Sequence, residues 1–315
     1  MTYRQTVEQH HRTTFADNVQ LVAQQMQNPL TAAVTVLPAD GEARSVADLI
    51  GTVDYIEGED YNRSNPDNPP QKSRRWLVRP LVIETGQYIT KEEKFDQTQD
   101  QTSQLLKTHV TALERGKFDR ILGVKKQADG TFKAERMGIM GKALEGKGPT
   151  SQKDFPTGNY VAADYGDTGT DLGLTAVKLR KATENMELAE FGMETDSQIY
   201  GLISPKQKTD LINLALATKT ALNPFDVEEI RAGRPGQLLG INWLFTNRLP
   251  VDASGNRLIP LWDKANIVCG VWQDVQGDMW NDTNAKNLPY IYGDAYIDAT
   301  RIQDGGVQII RCAEA

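Results

Sequence analysis

The chain has 315 residues, of which 39% are hydrophobic and 24% charged, with a formal net charge of −7. That length can bury a core without metals or disulfide staples, and at roughly 150 residues per domain it allows two packed units. The acidic balance argues against a protein that coats nucleic acid through a phosphate-neutralising face. The two cysteines, Cys269 and Cys312, are too few for a disulfide framework or a four-cysteine zinc site; they read as buried free thiols in a reducing compartment. The polar stretch Met1–His11 has no apolar region behind it, so no secretory signal is expected, and no run reaches the ~18 apolar residues of a membrane span.

In chain order, Phe15, Val19, Val22, Ala23 and Met26 recur at helical spacing and predict an amphipathic helix ending near Asn28-Pro29. Val53, Tyr55 and the stretch from Trp76 to Ile89 read as strands. The Pro- and Asn-rich segment 62–73 between them cannot be a regular element. Together they predict a long hairpin with a polar tip, too thin to own a core and therefore leaning on a neighbour. Its charges are sorted. Glu57, Glu59, Asp60 and Asp67 lie before or in the tip, and Lys72, Arg74, Arg75 and Arg79 follow it, with Trp76 among them. Two readings fit: cross-strand pairing within one hairpin, or complementary contact between neighbouring subunits, for which Arg and Trp are favoured anchors.

Residues 96–123 predict the clearest helix, with a Leu106/Val110/Leu113 stripe widened by Leu105, His109 and Ala112, and with Gly123 as its stop. Gly116 inside it costs ~1 kcal/mol and implies close packing. Glycines and prolines punctuate 124–172 into short strands and turns, and a second helical section spans Leu174 to Phe191. Gln198–Ile203 is a buried-looking strand, and Ser204-Pro205 opens a helix with a serine cap and proline at its first position. Leu238–Thr246, Ile267–Trp272 and Tyr290–Ile297 are further strands, and Asp304-Gly305-Gly306 turns into a last one, Val307–Arg311. The pattern is α+β rather than a βαβ repeat.

Candidate chemistry is sparse. Gly141 to Gly148 has the G-x-x-x-x-G-K spacing of a phosphate-binding loop, but Gly148 stands where Ser or Thr should hold Mg²⁺, and Pro149, Pro156 and Gly158 follow where a helix should start. His10, His11 and His109 are not at ligand spacing, and Asp164, Asp167 and Asp171 fail the calcium-loop rule. Lys72-Ser73-Arg74-Arg75-Trp76 is a short basic-aromatic patch that reads as interface rather than nucleic-acid site. No nucleophile elbow occurs. No catalytic residue, cofactor or metal is expected.

Several stretches resemble one branch of the tailed-phage coat proteins of the Hong Kong 97-type fold. They include Glu57-Gly58-Glu59-Asp60, Ser73-Arg74-Arg75-Trp76-Leu77-Val78, Glu84-Thr85-Gly86-Gln87-Tyr88-Ile89, Glu114-Arg115-Gly116-Lys117, Ile203-Ser204-Pro205-Lys206-Gln207, Gly240-Ile241-Asn242-Trp243 and Asn247-Arg248-Leu249-Pro250. The likeness runs in order along nearly the whole chain. It implies a major capsid subunit with an N-terminal arm at 1–50, an extended E-loop at 51–95, and a peripheral domain at 96–164 with a spine helix at 96–123. An inserted axial domain at 165–270 and a return to the peripheral domain at 271–315 complete it. On this reading Glu57, Glu59, Asp60, Asp67, Lys72, Arg74, Arg75, Trp76 and Arg79 of the E-loop contact adjacent subunits. Hexamers and pentamers would build an icosahedral virion shell around double-stranded DNA held without sequence-specific contact. Assembly would take place in the bacterial host cytoplasm, with scaffold, portal and decoration proteins as further partners and no membrane. The short arm beginning at Met1 implies no large cleaved segment. The alternatives are an encapsulin-like compartment shell and, on the glycine spacing alone, a nucleotide-binding enzyme using Gly141–Gly148.

Overall fold

The computed structural model describes residues 28–53, 69–90, 102–167, 169–193, 197–217 and 237–314. The helix expected at Phe15–Met26 and the acidic residues Glu57, Glu59, Asp60 and Asp67 lie outside them. The chain divides into two compact units, and each is described by itself.

The first unit contains residues 28, 81–90, 102–118 and 273–296 among those described. Strand β4 (Ile83–Tyr88) runs antiparallel to β15 (Leu288–Arg301), from Ile83↔Ala295 to Tyr88↔Tyr290, and β15 neighbours β14 (Ile267–Asp282). Strict alternation sorts this sheet into two faces. Ile291 and Ala295 are fully buried on the face that carries helix α1 (Thr102–Leu122). Glycines make room for the helix. A Cβ at Gly277 would stand 3.3 Å from Leu106 Cδ1, one at Gly293 2.7 Å from Leu113 Cδ1, and one at Gly116 of the helix itself 2.6 Å from Ile83 Cγ2. The close packing expected at Gly116 is therefore present. Thr85 Oγ1 and His109 Nδ1 lie 2.8 Å apart, and the buried Lys117 donates to Asp274 at 2.8 Å.

The second unit contains the rest of the described residues. Its centre is a six-stranded mixed sheet in the order β11 (Gln237–Leu238), β12 (Ile241–Phe245), β10 (Ile199–Ile203), β13 (Arg257–Asp263), β16 (Val307–Cys312), β9 (Tyr160–Val161). Leu202, Ile203, Ile241, Ile259, Leu261, Trp262, Ile309 and Ile310 are fully buried there. Helix α2 (Ala176–Leu188), capped by Thr175, buries Leu179, Ala182 and Met186 at helical spacing. Lys178 of the same helix is also fully buried, and its ammonium donates to the carbonyls of Leu172 at 2.7 Å and Arg311 at 3.0 Å. Helix α3 (Pro205–Ala217) starts as expected after Ser204, whose hydroxyl donates to the side-chain oxygen of Gln207 three residues on. The last turn of α1 ends at Gly123, φ +83°, whose N–H returns to the Asp119 carbonyl at 3.0 Å.

Two expectations are corrected, and one strand was not expected. The expected strand from Trp76 to Ile89 is two strands, β3 (Lys72–Val78) and β4, separated around Pro80, which has no N–H for a ladder. Leu238–Thr246 is not one strand but a hairpin, because Leu239 and Gly240 both take positive φ, +56° and +74°, as a two-residue turn of this type requires. Arg257–Asp263 is an unexpected central strand. Pro260 sits within it, yet pairing with β10 stops at Leu261, so the missing donor breaks no bond on that side. Among the described residues β10 and β12 are parallel, with α3 between them in the chain, and this crossover leaves the expected α+β class intact.

Candidate assembly surfaces

The second unit also holds a four-stranded sheet in the order β2 (Ala43–Ile50), β3, β7 (Ala143–Glu145), β8 (Gln152–Lys153). Strands β2 and β3 form an antiparallel hairpin from Ala43↔Val78 to Ile50↔Lys72, with an irregularity between Ser45 and Ala47. The Gly51 N–H to Gln71 carbonyl bond, 2.7 Å, adds one more rung. Among the described residues the first arm thus lies at 43–50, upstream of Val53, and the expected Tyr55 lies outside the described residues. Its sequence, with Arg44, Ser45 and Asp48, hides the strand because only its inner residues are partly covered.

The hairpin is not without support from its own chain. Arg75 and Trp76 pair with Glu145 and Leu144 of β7. Successive strand residues point to opposite faces, and both of these side chains are tied down. Trp76 Nε1 donates to the Gly146 carbonyl at 2.9 Å. Arg75, whose side chain is 2% exposed, donates from Nε to the Ile302 carbonyl at 2.8 Å and from Nη2 to Asp304 Oδ2 at 3.0 Å, with Nη1 3.3 Å from Glu145 Oε2. Arg75 is therefore taken off the exposed surface where an inter-subunit contact would need it. Its partners extend into a cluster. Lys153 Nζ reaches Glu145 Oε2 at 2.7 Å and Asp304 Oδ2 at 3.0 Å. The fully buried Arg301 donates from Nε to Asp304 Oδ1 at 2.6 Å and from Nη1 to the Gly141 carbonyl, with its guanidinium 4.9 Å from the centre of the Phe155 ring. Burial opposes ionisation of Asp304, but Arg301, Arg75 and Lys153 outweigh it and hold the carboxyl below its ordinary range.

Outward from Arg75, Arg74 forks onto Asp48, its cross-strand partner in register, at 2.9 Å from Nη2, and stacks over Trp76 at 5.4 Å. Lys72 and Arg79 are exposed. For Arg74 the cross-strand reading is thus realised, though with an acid in the first arm rather than in the tip. Asp48, Glu145, Lys153, Arg301 and Asp304 were not singled out in the sequence. Asp304 carries only a turn signal, and nothing local announces a partner more than 200 residues away.

Gly141 to Gly148 does not form a phosphate cradle. Ala143–Glu145 is strand β7, Gly141 is packed so tightly that a Cβ would meet the Arg136 carbonyl, and that glycine's own carbonyl is held by Arg301. No α-helix follows it among the described residues before α2, only a three-residue 3-10 turn at Thr157–Asn159. Cys269 and Cys312 are buried thiols, and burial pushes the Cys312 thiol up to about 12.

On the first unit, the sheet face opposite α1 carries aromatic rings in contact. Tyr88 and Tyr290 lie 4.4 Å apart, Trp280 and Tyr290 5.3 Å, and Trp280 and Tyr292 5.8 Å. Carboxylates orient the tyrosines: Tyr88 donates to Asp282 at 2.8 Å and Tyr292 to Glu84 at 3.1 Å. Desolvation together with the Glu84 contact raises the Tyr292 phenol to about 12. Tyr88 and Trp280 remain 42% and 43% exposed, a patch of the kind that marks contact surfaces.

A mixed sheet with a projecting hairpin, and a long helix on a second sheet, suit a subunit that meets copies of itself. The chain matches the phage capsid protein family over residues 7–314. It belongs to that family. It is a major capsid subunit, a structural component of the virion that acts within an oligomeric shell. The match does not favour the encapsulin-like alternative. No curated protein matches the chain by sequence. Among solved structures, the capsid of the cyanophage P-SCSP1u is similar at 17% identity with a TM-score of 0.66, covering 96% of this chain and 93% of that one. The capsid of a native GTA particle is similar at 14% identity and 0.64, covering 96% and 95%. A Mycobacterium phage Adephagia chain is similar at 13% and 0.63, covering 99% and 98%. At these identities the likeness is one of fold.

Proposed function

We propose that this capsid subunit assembles as hexamers and pentamers into an icosahedral head around double-stranded DNA, and that it catalyses nothing. The observation that carries the reading is the hairpin β2–β3. Beyond Arg74 towards the tip, β3 has only β2 as a neighbour among the described residues, and an isolated two-stranded ribbon is marginal in water. An adjacent copy supplies what is missing. Lys72, Arg74, Trp76 and Arg79 are the described residues positioned for that contact, with Glu57, Glu59, Asp60 and Asp67 the acidic side of the same segment. In this scheme residues 1–50 act as the arm, 51–95 as the E-loop, 96–164 and 271–315 as the peripheral domain and 165–270 as the axial domain. Scaffold, portal and decoration proteins join in the host cytoplasm, and the negative net charge limits DNA contact to local, non-specific patches.

Replacing residues 54–68 with a short Gly/Ser connector tests this, because the ladder from Gly51–Gln71 inward stays intact. Folded subunits or lone capsomers that no longer close into shells are expected. Normal shells from the shortened protein would refute the role given to the hairpin.

A further inference from the structure

Arg75 stands where the hairpin leaves its sheet. On the body side, β3 is paired on both edges; on the tip side, beyond the Gly146 N–H bond to the Arg74 carbonyl at 3.0 Å, Ser73 and Lys72 pair only with β2. From Arg75 to the Gly51–Gln71 rung the ribbon runs about 13 Å, at ~3.3 Å per residue, so any rotation at its root is multiplied along that length. The root is held on both faces, by Trp76 on Gly146 and by Arg75 on the turn that carries Ile302 and Asp304. Three cations and two carboxylates converge at this point, a far larger investment than a surface strand needs. The ladder alone sets the hairpin's length and register; it does not set its direction.

We infer that the Arg75–Asp304 pair, braced by Arg301, Glu145 and Lys153, is the positioning device that fixes the direction in which the hairpin projects, and that closure of the shell depends on it. The inference rests on the proposed role of the hairpin in assembly. Arg75 and Asp304 act through the hairpin and touch no neighbouring copy themselves.

The test pairs a distance measurement with an assembly assay on the full-length protein. Ile50 and Leu188 are 68% and 75% exposed, and Cys269 and Cys312 are fully buried, so Ile50→Cys and Leu188→Cys accept spin labels selectively. Pulsed electron paramagnetic resonance on unassembled subunits then reads the spread of the hairpin-to-body distance, and electron microscopy reads closed shells. In Arg75→Gln and Asp304→Asn, with circular dichroism unchanged, the distance distribution is expected to broaden severalfold and closed shells to be lost. A merely structural role would lower thermal stability and leave the width alone. Should either variant fail to fold, Lys153→Met, which removes only the outermost brace at a half-exposed site, is expected to give partial broadening and a lower shell yield. An unchanged width in the folded variants, with shells at the parent yield, would overturn the inference. If the parent itself forms no shells while the variants still broaden, the assembly reading fails and the positioning role stands.

Discussion

The ring of Tyr290 lies over Gly86 of the neighbouring strand: a Cβ at Gly86 would stand 2.2 Å from the Tyr290 hydroxyl oxygen and 2.7 Å from its Cζ. The glycine is the seat of the aromatic cluster, which covers a bare stretch of backbone with a ring from the adjacent strand. Gly86→Ala should therefore displace Tyr290, cost about 1–3 kcal/mol as an overpacked contact, and change the fluorescence of Trp280, whose ring is 5.3 Å from that of Tyr290. Thermal melts and tryptophan emission check this; an unshifted emission spectrum would contradict the seating.

Gly116 makes the same argument inside a helix. Alanine is ordinarily better there by about 1 kcal/mol, yet its Cβ would meet Ile83 Cγ2 at 2.6 Å. Gly116→Ala should be destabilising in the parent protein and stabilising in an Ile83→Ala background. A double-mutant cycle by chemical denaturation measures the change of sign.

Asp119 forks onto Arg248, at 2.7 Å from Nε, and Arg248 stacks 4.7 Å from the centre of the Phe132 ring. The pair is largely buried, with 10% and 18% of the two side chains exposed. Removing one partner strands the other, so Asp119→Ala should lose about 3–5 kcal/mol, whereas a surface pair such as Asp48–Arg74 should yield little. Urea denaturation of the two alanine variants, Asp119→Ala and Asp48→Ala, ranks them.

Asp298 gives a pH dependence. Its carboxyl is buried and one oxygen has no hydrogen-bond partner; burial raises it to about 7, against the partial relief offered by Arg120, a backbone N–H and Arg136. Because the folded value lies above the unfolded one, the native state binds this proton more tightly. The stabilisation is complete below pH ~4 and is lost as pH rises through about 7. Within that window stability should fall by up to about 1.4 kcal/mol per pH unit, and Asp298→Asn should flatten the slope. Melting temperatures at pH 4.5 and pH 7.5 for parent and variant provide the comparison.

What the sequence made legible follows from where the physics is local. Helix α1 was readable because its stripe and Gly123 are both local signals, and α3 because Ser204-Pro205 is a start signal in itself. Strand β13 was hidden by Pro260, a residue that argues against a central strand unless the register is known. The β11–β12 turn was hidden because Leu239 occupies a left-handed position that glycine or asparagine usually marks. At the assembly surface the basic arm Lys72–Arg79 stood out as charge, but the fate of each residue depended on pairing. Arg74 meets Asp48 through a register set by the ladder, and Arg75 is buried through partners at Ile302 and Asp304 that only the tertiary fold brings near. The aromatic cluster escaped notice because Tyr88 is separated from Trp280, Tyr290 and Tyr292 by most of the chain.

The measurement that bears most directly on the assembly role is electron microscopy of the full-length protein expressed alone and purified. Closed shells, or tubes of hexamers, are the predicted result. A uniform population of monomers or dimers that persists at high concentration and after addition of candidate scaffold would contradict it.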